Sequence, residues 1–264
     1  MLVPMELKLE HEIAKRLRHA EANAEPIEPF AHEVGEREVL RAYDIQHLNT
    51  QHGLSSGRIL RGRKIGLTAK TVQQQLGVDE PDYGALFCDM EIENDGTLDL
   101  DSTIDPKVEA EIALVLDRDI DEENLSIEQI REHVAYATSS LEIVDSRLKN
   151  WRIGIVDTIA DNGASSKFVL GKKRVPISEV DLAACNMQLA RNGSVVSTGT
   201  GAATLGHPLR ALRWLANILV RHGYPLRRGD LVLTGALGPV ATLAPGDIFE
   251  AYFDGMSAVR LNVR

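Results

Sequence analysis

The chain has 264 residues, 44% of them hydrophobic and 26% charged, the proportions of an ordinary globular protein with one large domain or a core domain plus a smaller attachment. Its net charge of −10 excludes a broad basic field for phosphate backbones, so nucleic acid is not an expected partner. The same charge repels an anionic substrate at long range, so an acidic substrate would need a local cation at its site.

In chain order, Met5–Asn23 reads as a helix, because Leu9, Ile13, Leu17 and Ala20 recur at three- and four-residue steps and form one apolar stripe. The opening MLVPMELKLEHEIAKRL carries early acids and lacks the apolar core of a signal peptide. No run approaches the ~18 apolar residues of a membrane helix, so no membrane partner is expected and the cytoplasm is the expected location. The EPIEPF segment interrupts the first helix pattern with two prolines. Glu36–His52 is a second helix candidate, with Val39, Leu40, Tyr43 and His47 along one side and Gly53 as its stop.

From Ile59 the texture changes to short apolar runs punctuated by Gly, Pro, Asn and Asp, a strand-and-turn pattern. Strands are expected at Arg61–Thr68, Val108–Leu116, Asp230–Gly235, Asp247–Phe253 and Ser257–Val263, and Leu141–Ser146 reads as another buried strand. Asn192-Gly193, between apolar runs within Leu182–Ser197, predicts a type I′ hairpin. Ser126 and Gln129 form a capping-box pattern ahead of a helix expected to reach Ala137, and Pro208 opens another that Gly223 ends. Cys88 and Cys185 are far apart and lack CxxC spacing, which suits buried thiols in a reducing compartment. The expected organisation is α+β, with a helical N-terminal region over 1–58 and a larger, mostly β body over 59–264.

The chemistry concentrates in acids on strands. Residues two apart on a strand share a face, so Glu109, Glu111, Ala113 and Val115 lie on one side of VEAEIALVL. Val108, Ala110, Ile112, Leu114 and Leu116 make an entirely apolar opposite face that must be core. The first face begins with two carboxylates and ends apolar, as expected of a strand running from a pocket into the interior. Adjacent carboxylates near a core repel one another, and desolvation adds to the cost of ionising them. A divalent cation, nearby basic side chains, or exposure at the strand end would each compensate. A third acid, Glu142, stands among apolar residues in LEIVDS. Three oxygen ligands without His or Cys suit a hard cation, Mg²⁺ or Mn²⁺, although strand alternation does not bring Glu142 to the other two.

KIGLT, GVDEPDYGALFCDM, PKVEAEIALVL, LEIVDSR, VDTIADN, LGHPL and GDLVLTGALGPV occur in an order that resembles the 2-oxopent-4-enoate (2-hydroxypenta-2,4-dienoate) hydratases of the fumarylacetoacetate hydrolase superfamily. The resemblance runs from Glu38 to the C-terminus and implies a mixed β-barrel-like roll and a Mg²⁺- or Mn²⁺-dependent hydro-lyase in meta-cleavage degradation of aromatic compounds. It implies Glu109, Glu111 and Glu142 as metal ligands and Lys64 as an active-site lysine, whose pKa partial desolvation would lower. Asp82, in the DEPDYG loop, is a candidate to activate or position water, with turn formation as its alternative. Leu76, Ser165, Thr234 and Gly235 match positions implied to contact substrate, with backbone N–H groups of the TGALGP turn available to a carboxylate. The serine is uncertain by one position between Ser165 and Ser166, because Ala164 stands where relatives carry Ser. His207, before Pro208, reads as structural. The resemblance further implies a homo-oligomer acting on a small 2-oxo or 2-hydroxy-dienoic acid, sometimes beside a neighbouring pathway enzyme. The rival readings are a 4-oxalocrotonate decarboxylase, a 2-oxohept-3-enedioate hydratase, and a non-catalytic partner subunit.

Overall fold

A computed structural model describes residues 4–69, 73–74, 78 and 80–264. The N-terminal region is helical, as the spacing predicts: α1 (Pro4–Asn23), the single turn α2 (Ala31–Val34) and α3 (Val39–Ser55). Ile13, Leu17 and Ala20 are buried, so the stripe on α1 is its inward face. α3 is rotated relative to the expected stripe. Ala42, Tyr43, Ile45 and Gln46 face inward, whereas Leu40 is 71% exposed. Gln46 explains the rotation: its amide donates to Tyr83 O and Ile159 O at 2.8 Å each, so a polar residue earns an inward position by bridging two carbonyls.

The body contains β1 (Leu60–Gly66), β2 (Asp82–Phe87), β3 (Glu91–Ile92), β4 (Gly96–Leu98), β5 (Lys107–Leu116), β6 (Val134–Val144) and β7 (Ser165–Leu170). These are followed by β8 (Asn186–Arg191), β9 (Ser194–Thr200), β10 (Leu231–Ala236), β11 (Ala241–Thr242), β12 (Ile248–Phe253) and β13 (Val259–Val263). One sheet runs β2-β1-β10-β5-β6-β7-β3 with β11 added beside β5, and a second runs β4-β13-β12-β8-β9. Pairing is mostly antiparallel, but β1–β10, β3–β7 and β4–β13 are parallel, so both sheets are mixed. The hairpin at Asn192-Gly193 has both residues at positive φ, 52° and 80°, as a type I′ turn requires.

Among the described residues the body also carries the helices α4 (Ile127–Glu132), α5 (Ile155–Ala160) and α6 (Pro208–Arg221). Ser126 and Gln129 close the expected capping box on α4. The helix nevertheless stops at Glu132, short of the expected Ala137. Val134, Tyr136 and Ala137 pair with β5 at Leu116, Val115 and Leu114, and this ladder overrides the local helical signal. On α6, Leu212, Leu215 and Leu219 are buried, at roughly 1.5–3 kcal/mol each. His207 caps this helix by accepting from Leu209 N at 3.0 Å, the structural role its sequence position suggests. Both cysteines are free; Cys185 is buried as expected, but Cys88 is exposed.

The two faces of β5 feed two separate cores. Val108, Ala110, Ile112, Leu114 and Leu116 join the main cluster with Ile13, Phe30 and Ile45 of the helical region. Ala113 and Val115 belong to a smaller cluster with Leu86, Phe87, Phe168, Leu231 and Leu233. The carboxylate-bearing face therefore does run from a polar end into an apolar interior. Among the described residues, no helix is long and apolar enough to cross a membrane.

Candidate metal centre

Strand register supplies what alternation could not. Glu109 on β5 is directly opposite Glu142 on β6, and Glu111 is opposite Ser140, so all three acids project from one face of the sheet. Ligand oxygens from Glu109, Glu111 and Glu142 all lie within 4.8 Å of one another. Glu111 and Glu142 are fully buried and Glu109 is partly buried.

The sheet holds Glu111 from two sides. Gly235 N–H donates to Glu111 Oε2 at 2.7 Å, and Ser140 Oγ donates to the Glu111 carbonyl at 2.9 Å. The first bond depends on an irregularity in β10, whose register against β5 shifts between Leu233 and Ala236. Gly235 adopts φ 104°, and a Cβ there would approach Thr68 Oγ1 to 2.4 Å. Only glycine fits that backbone and that space. The Gly235 N–H, expected to be available to a substrate carboxylate, is thus committed to a carboxylate of the protein. Thr234 is also turned into the fold, its hydroxyl donating to Ile112 O at 2.8 Å.

Lys64 and Asp82 reach the same site from the neighbouring strand pair. Lys64 and Gly66 share a face of β1, and Asp82 on β2 is opposite Gly66. A Cβ at Gly66 would stand 2.2 Å from Asp82 Oδ1, so glycine there makes room for the acid. Lys64 Nζ lies 3.2 Å from Glu142 Oε1, with the two side chains 3% and 0% exposed. The contact is an ion pair without hydrogen-bond alignment, since neither oxygen of Glu142 has a donor. Glu111 Oε1 and both oxygens of Asp82 are likewise buried without a donor.

The electrostatics follow from this crowding. Burial, then repulsion from Glu142, pushes the Glu109 carboxyl up to about 7, and the same causes together with Glu109 hold Glu111 well above the ordinary carboxylate range. Asp82 is pushed up to about 6, by burial first and against the pull of Lys64. Lys64 departs from expectation. Its burial does favour the neutral amine, but Glu142, Asp82, Glu109 and Glu111 together outweigh it, and its pKa is raised rather than lowered. Clustered carboxylate oxygens within reach of one ion, several of them without a hydrogen-bond donor and with no His or Cys in the group, fit a hard divalent cation.

Of the remaining residues, Ser165 pairs with Val144 and so lies toward the Glu142 face of β6. Its Oγ is buried without a partner, whereas Ser166 is partly exposed, so Ser165 is the serine turned inward. Leu76 lies outside the described residues.

Beside this site is a group that sequence reasoning did not single out. Arg147 Nε donates to Asp161 Oδ1 at 2.5 Å, and Ser146 Oγ and Arg147 N donate to Asp161 Oδ2 at 3.0 Å each. Arg147 also reaches the carbonyls of Asp145, Ser165 and Asp161. Asp145 receives the N–H groups of Ile104 and Asp105, and Asp157 those of Phe30, Ala31 and Gly154. The acids in LEIVDSR and VDTIADN were visible as letters, but only the folded chain reveals that they tie loops and helix ends behind Ser165.

Comparisons with known proteins agree with this architecture. The fumarylacetoacetate (FAA) hydrolase C-terminal family model matches residues 94–264. A 2-keto-4-pentenoate hydratase of Burkholderia vietnamiensis (strain G4 / LMG 22486) is 47% identical over 248 residues, 94% of this chain and 95% of its own length. A 2-keto-4-pentenoate hydratase 3 of Pseudomonas putida is 48% identical over 249 residues, covering 94% of this chain and 93% of its own. A solved 4-oxalocrotonate decarboxylase from Pseudomonas putida G7, complexed with magnesium and adipate, superimposes with a TM-score of 0.94 at 29% identity, over 100% of this chain and 99% of that one. The chain belongs to the fumarylacetoacetate hydrolase family and, within it, to the 2-keto-4-pentenoate hydratases.

Proposed function

We propose that this protein is a divalent-metal-dependent hydro-lyase that adds water to 2-hydroxypenta-2,4-dienoate, giving 4-hydroxy-2-oxopentanoate in the degradation of aromatic compounds. The observation that carries the reading is the group of Glu109, Glu111 and Glu142, with ligand oxygens within 4.8 Å, next to buried Lys64 and Asp82. Near-full-length identity of 47–48% to proteins named for that reaction supports the substrate class. The magnesium in the decarboxylase structure supports a divalent ion, and an all-oxygen donor set favours Mg²⁺ or Mn²⁺.

Glu109, Glu111 and Glu142 would hold the ion, with Gly235 N–H and Ser140 keeping Glu111 in place. When bound, such an ion supplies Lewis-acid stabilisation of negative charge on the substrate's 2-oxygen. Lys64 stays protonated among its carboxylates, and its charge attracts the substrate carboxylate against the overall −10. Asp82, both oxygens free and its pKa pushed up to about 6, can take and return a proton near neutral pH. The net change needs a proton delivered to carbon five, hydroxide from water added at carbon four and a proton delivered to carbon three, while the 2-hydroxyl proton is lost. We assign the water-derived proton to Asp82. We assign Ser165, whose buried hydroxyl has no partner, to orienting the substrate or the attacking water.

The decarboxylase reading keeps one observation in its favour, the near-complete structural match at 29% identity. Product analysis separates the two. Hydration of 2-hydroxypenta-2,4-dienoate without carbon dioxide release from 4-oxalocrotonate supports the hydratase; carbon dioxide release without hydration reverses the assignment. On the family resemblance we also propose a cytoplasmic homo-oligomer, and sedimentation of the purified protein as a monomer would remove the assembly part.

A further inference from the structure

Behind the strands that carry Lys64 and Asp82 is a second group of chemically active side chains. Arg63 and Tyr83 are their immediate chain neighbours and project to the other face of β1 and β2. Both line a cavity of about 340 Å³ together with Tyr43 and His47 of α3, and His222 and Tyr224 beyond α6. The walls are fixed. Tyr43 stacks on Tyr83 with centroids 4.5 Å apart, and Tyr83 Oη is hydrogen-bonded to His222 Nδ1 at 2.8 Å. His47 stacks on Tyr224 at 4.3 Å and is hydrogen-bonded to its hydroxyl through Nε2 at 2.7 Å.

Arg63 is the anomaly. It is 9% exposed, yet its guanidinium makes one hydrogen bond, to the adjacent Gly62 carbonyl at 3.0 Å. Among the described residues, no carboxylate lies within ion-pair distance of it. Every other Arg as buried as this one is paired: Arg147 has Asp161. A buried guanidinium with free donors is costly unless an acceptor reaches it. Among the described residues Asp44 is the one acid lining the cavity, exposed at its rim where water screens it, and Asp230 attracts the guanidinium only from beyond ion-pair distance.

We propose that this cavity is a binding site, separate from the metal centre, for a small carboxylate with a flat apolar body. The planar fork of Arg63 pairs with the carboxylate, and the Tyr43, Tyr83 and Tyr224 rings enclose the body. Pre-positioned rings and a desolvated cation spare the ligand the cost of ordering its site. A phosphate would satisfy Arg63 but leave the aromatic walls without a partner, so the flat organic acid is the better match. An occupant would bear on β1 and β2 from the face opposite Lys64 and Asp82.

Calorimetric titration of the metal-loaded protein with benzoate tests this directly, with neutral benzamide and inorganic phosphate as controls. Benzoate is expected to bind, benzamide and phosphate to bind at least about tenfold more weakly, and Arg63→Met to weaken benzoate by at least about tenfold. Glu109→Gln should leave this binding in place, which distinguishes the cavity from the metal centre. In the unsubstituted protein, benzoate should shift the ring NMR signals of His47 and His222, a readout that does not depend on a variant folding. Benzamide or phosphate binding as well as benzoate, loss of binding in Glu109→Gln with retention in Arg63→Met, or unmoved His47 and His222 signals would overturn the proposal.

Discussion

Two buried groups of acids occupy neighbouring stretches of this chain and are built in opposite ways. Around Asp161, Asp145 and Asp157 every carboxylate oxygen meets a donor, from Arg147, Ser146 or a backbone N–H. Around Glu142, three residues away from Asp145, the carboxylates crowd together, and Glu111 Oε1 and both oxygens of Glu142 and of Asp82 have no hydrogen-bond donor. A protein interior rarely leaves polar groups unmatched, so the first group is satisfied scaffold and the second has the unmet oxygens that the proposed ion would satisfy. The contrast lies in partners and in place: Asp145, Asp157 and Asp161 sit just past β6 and in or at the end of α5, whereas Glu109, Glu111 and Glu142, the proposed ligands, project from β5 and β6.

The largest effect should come from breaking the satisfied group. Arg147→Met strands Asp161 in the interior and should cost about 3–5 kcal/mol in urea unfolding. A much smaller loss would mean that Asp161 takes up a proton and that the pair contributes little. In the unsatisfied group the cost should fall on chemistry instead. Glu111→Gln should lower metal-dependent turnover by about 10²–10³-fold, about 3–4 kcal/mol, in steady-state assays with Mg²⁺ or Mn²⁺. Retained turnover would remove Glu111 from the ligand set. Gly235→Ala sits one shell further out: the forced φ and the Thr68 contact displace the N–H that holds Glu111. Metal affinity measured by titration should fall by about 10–100-fold. Smallest is Ser140→Ala, which removes one hydrogen bond to the Glu111 carbonyl and should cost about 0.5–1.5 kcal/mol of stability, read by urea unfolding.

What could be read from the letters alone tracks the range of the interactions involved. The two faces of β5 were legible because strand alternation is local, and they feed two different cores as the pattern required. The hairpin at Asn192-Gly193 and the caps of α4 and α6 were legible for the same reason. The meeting of Glu109 with Glu142 was not, because register between β5 and β6 is set by the whole ladder. The early end of α4 and the turned-out Leu40 have the same origin, since β5 pairing and the Gln46 bridge lie far away in sequence. Lys64 was recognisable as a site residue, but its proton affinity was misjudged: the four carboxylates that raise it come from three different strands. The Arg147 group left almost no sequence signal, because an aspartate that caps a loop and one that binds an ion are written with the same letter.

The central claim is that the three glutamates are under electrostatic tension that a divalent ion relieves. Because the Glu109 pKa is raised from its ordinary value to about 7, the folded metal-free protein holds more protons than the unfolded chain between about pH 4.5 and 7. The contribution of Glu109 to stability is therefore fully present below about pH 4.5 and is lost as pH rises through about 7. Urea unfolding at pH 7 of the chelator-treated protein and of Glu111→Gln, each with and without excess Mn²⁺, tests this most directly. The account predicts that Glu111→Gln is at least as stable as the unsubstituted protein without metal. It also predicts that Mn²⁺ at about 100 times its Kd stabilises the unsubstituted protein by about 2.7 kcal/mol and the variant far less. A metal-free variant that is markedly less stable, together with equal stabilisation of both proteins by Mn²⁺, would contradict it.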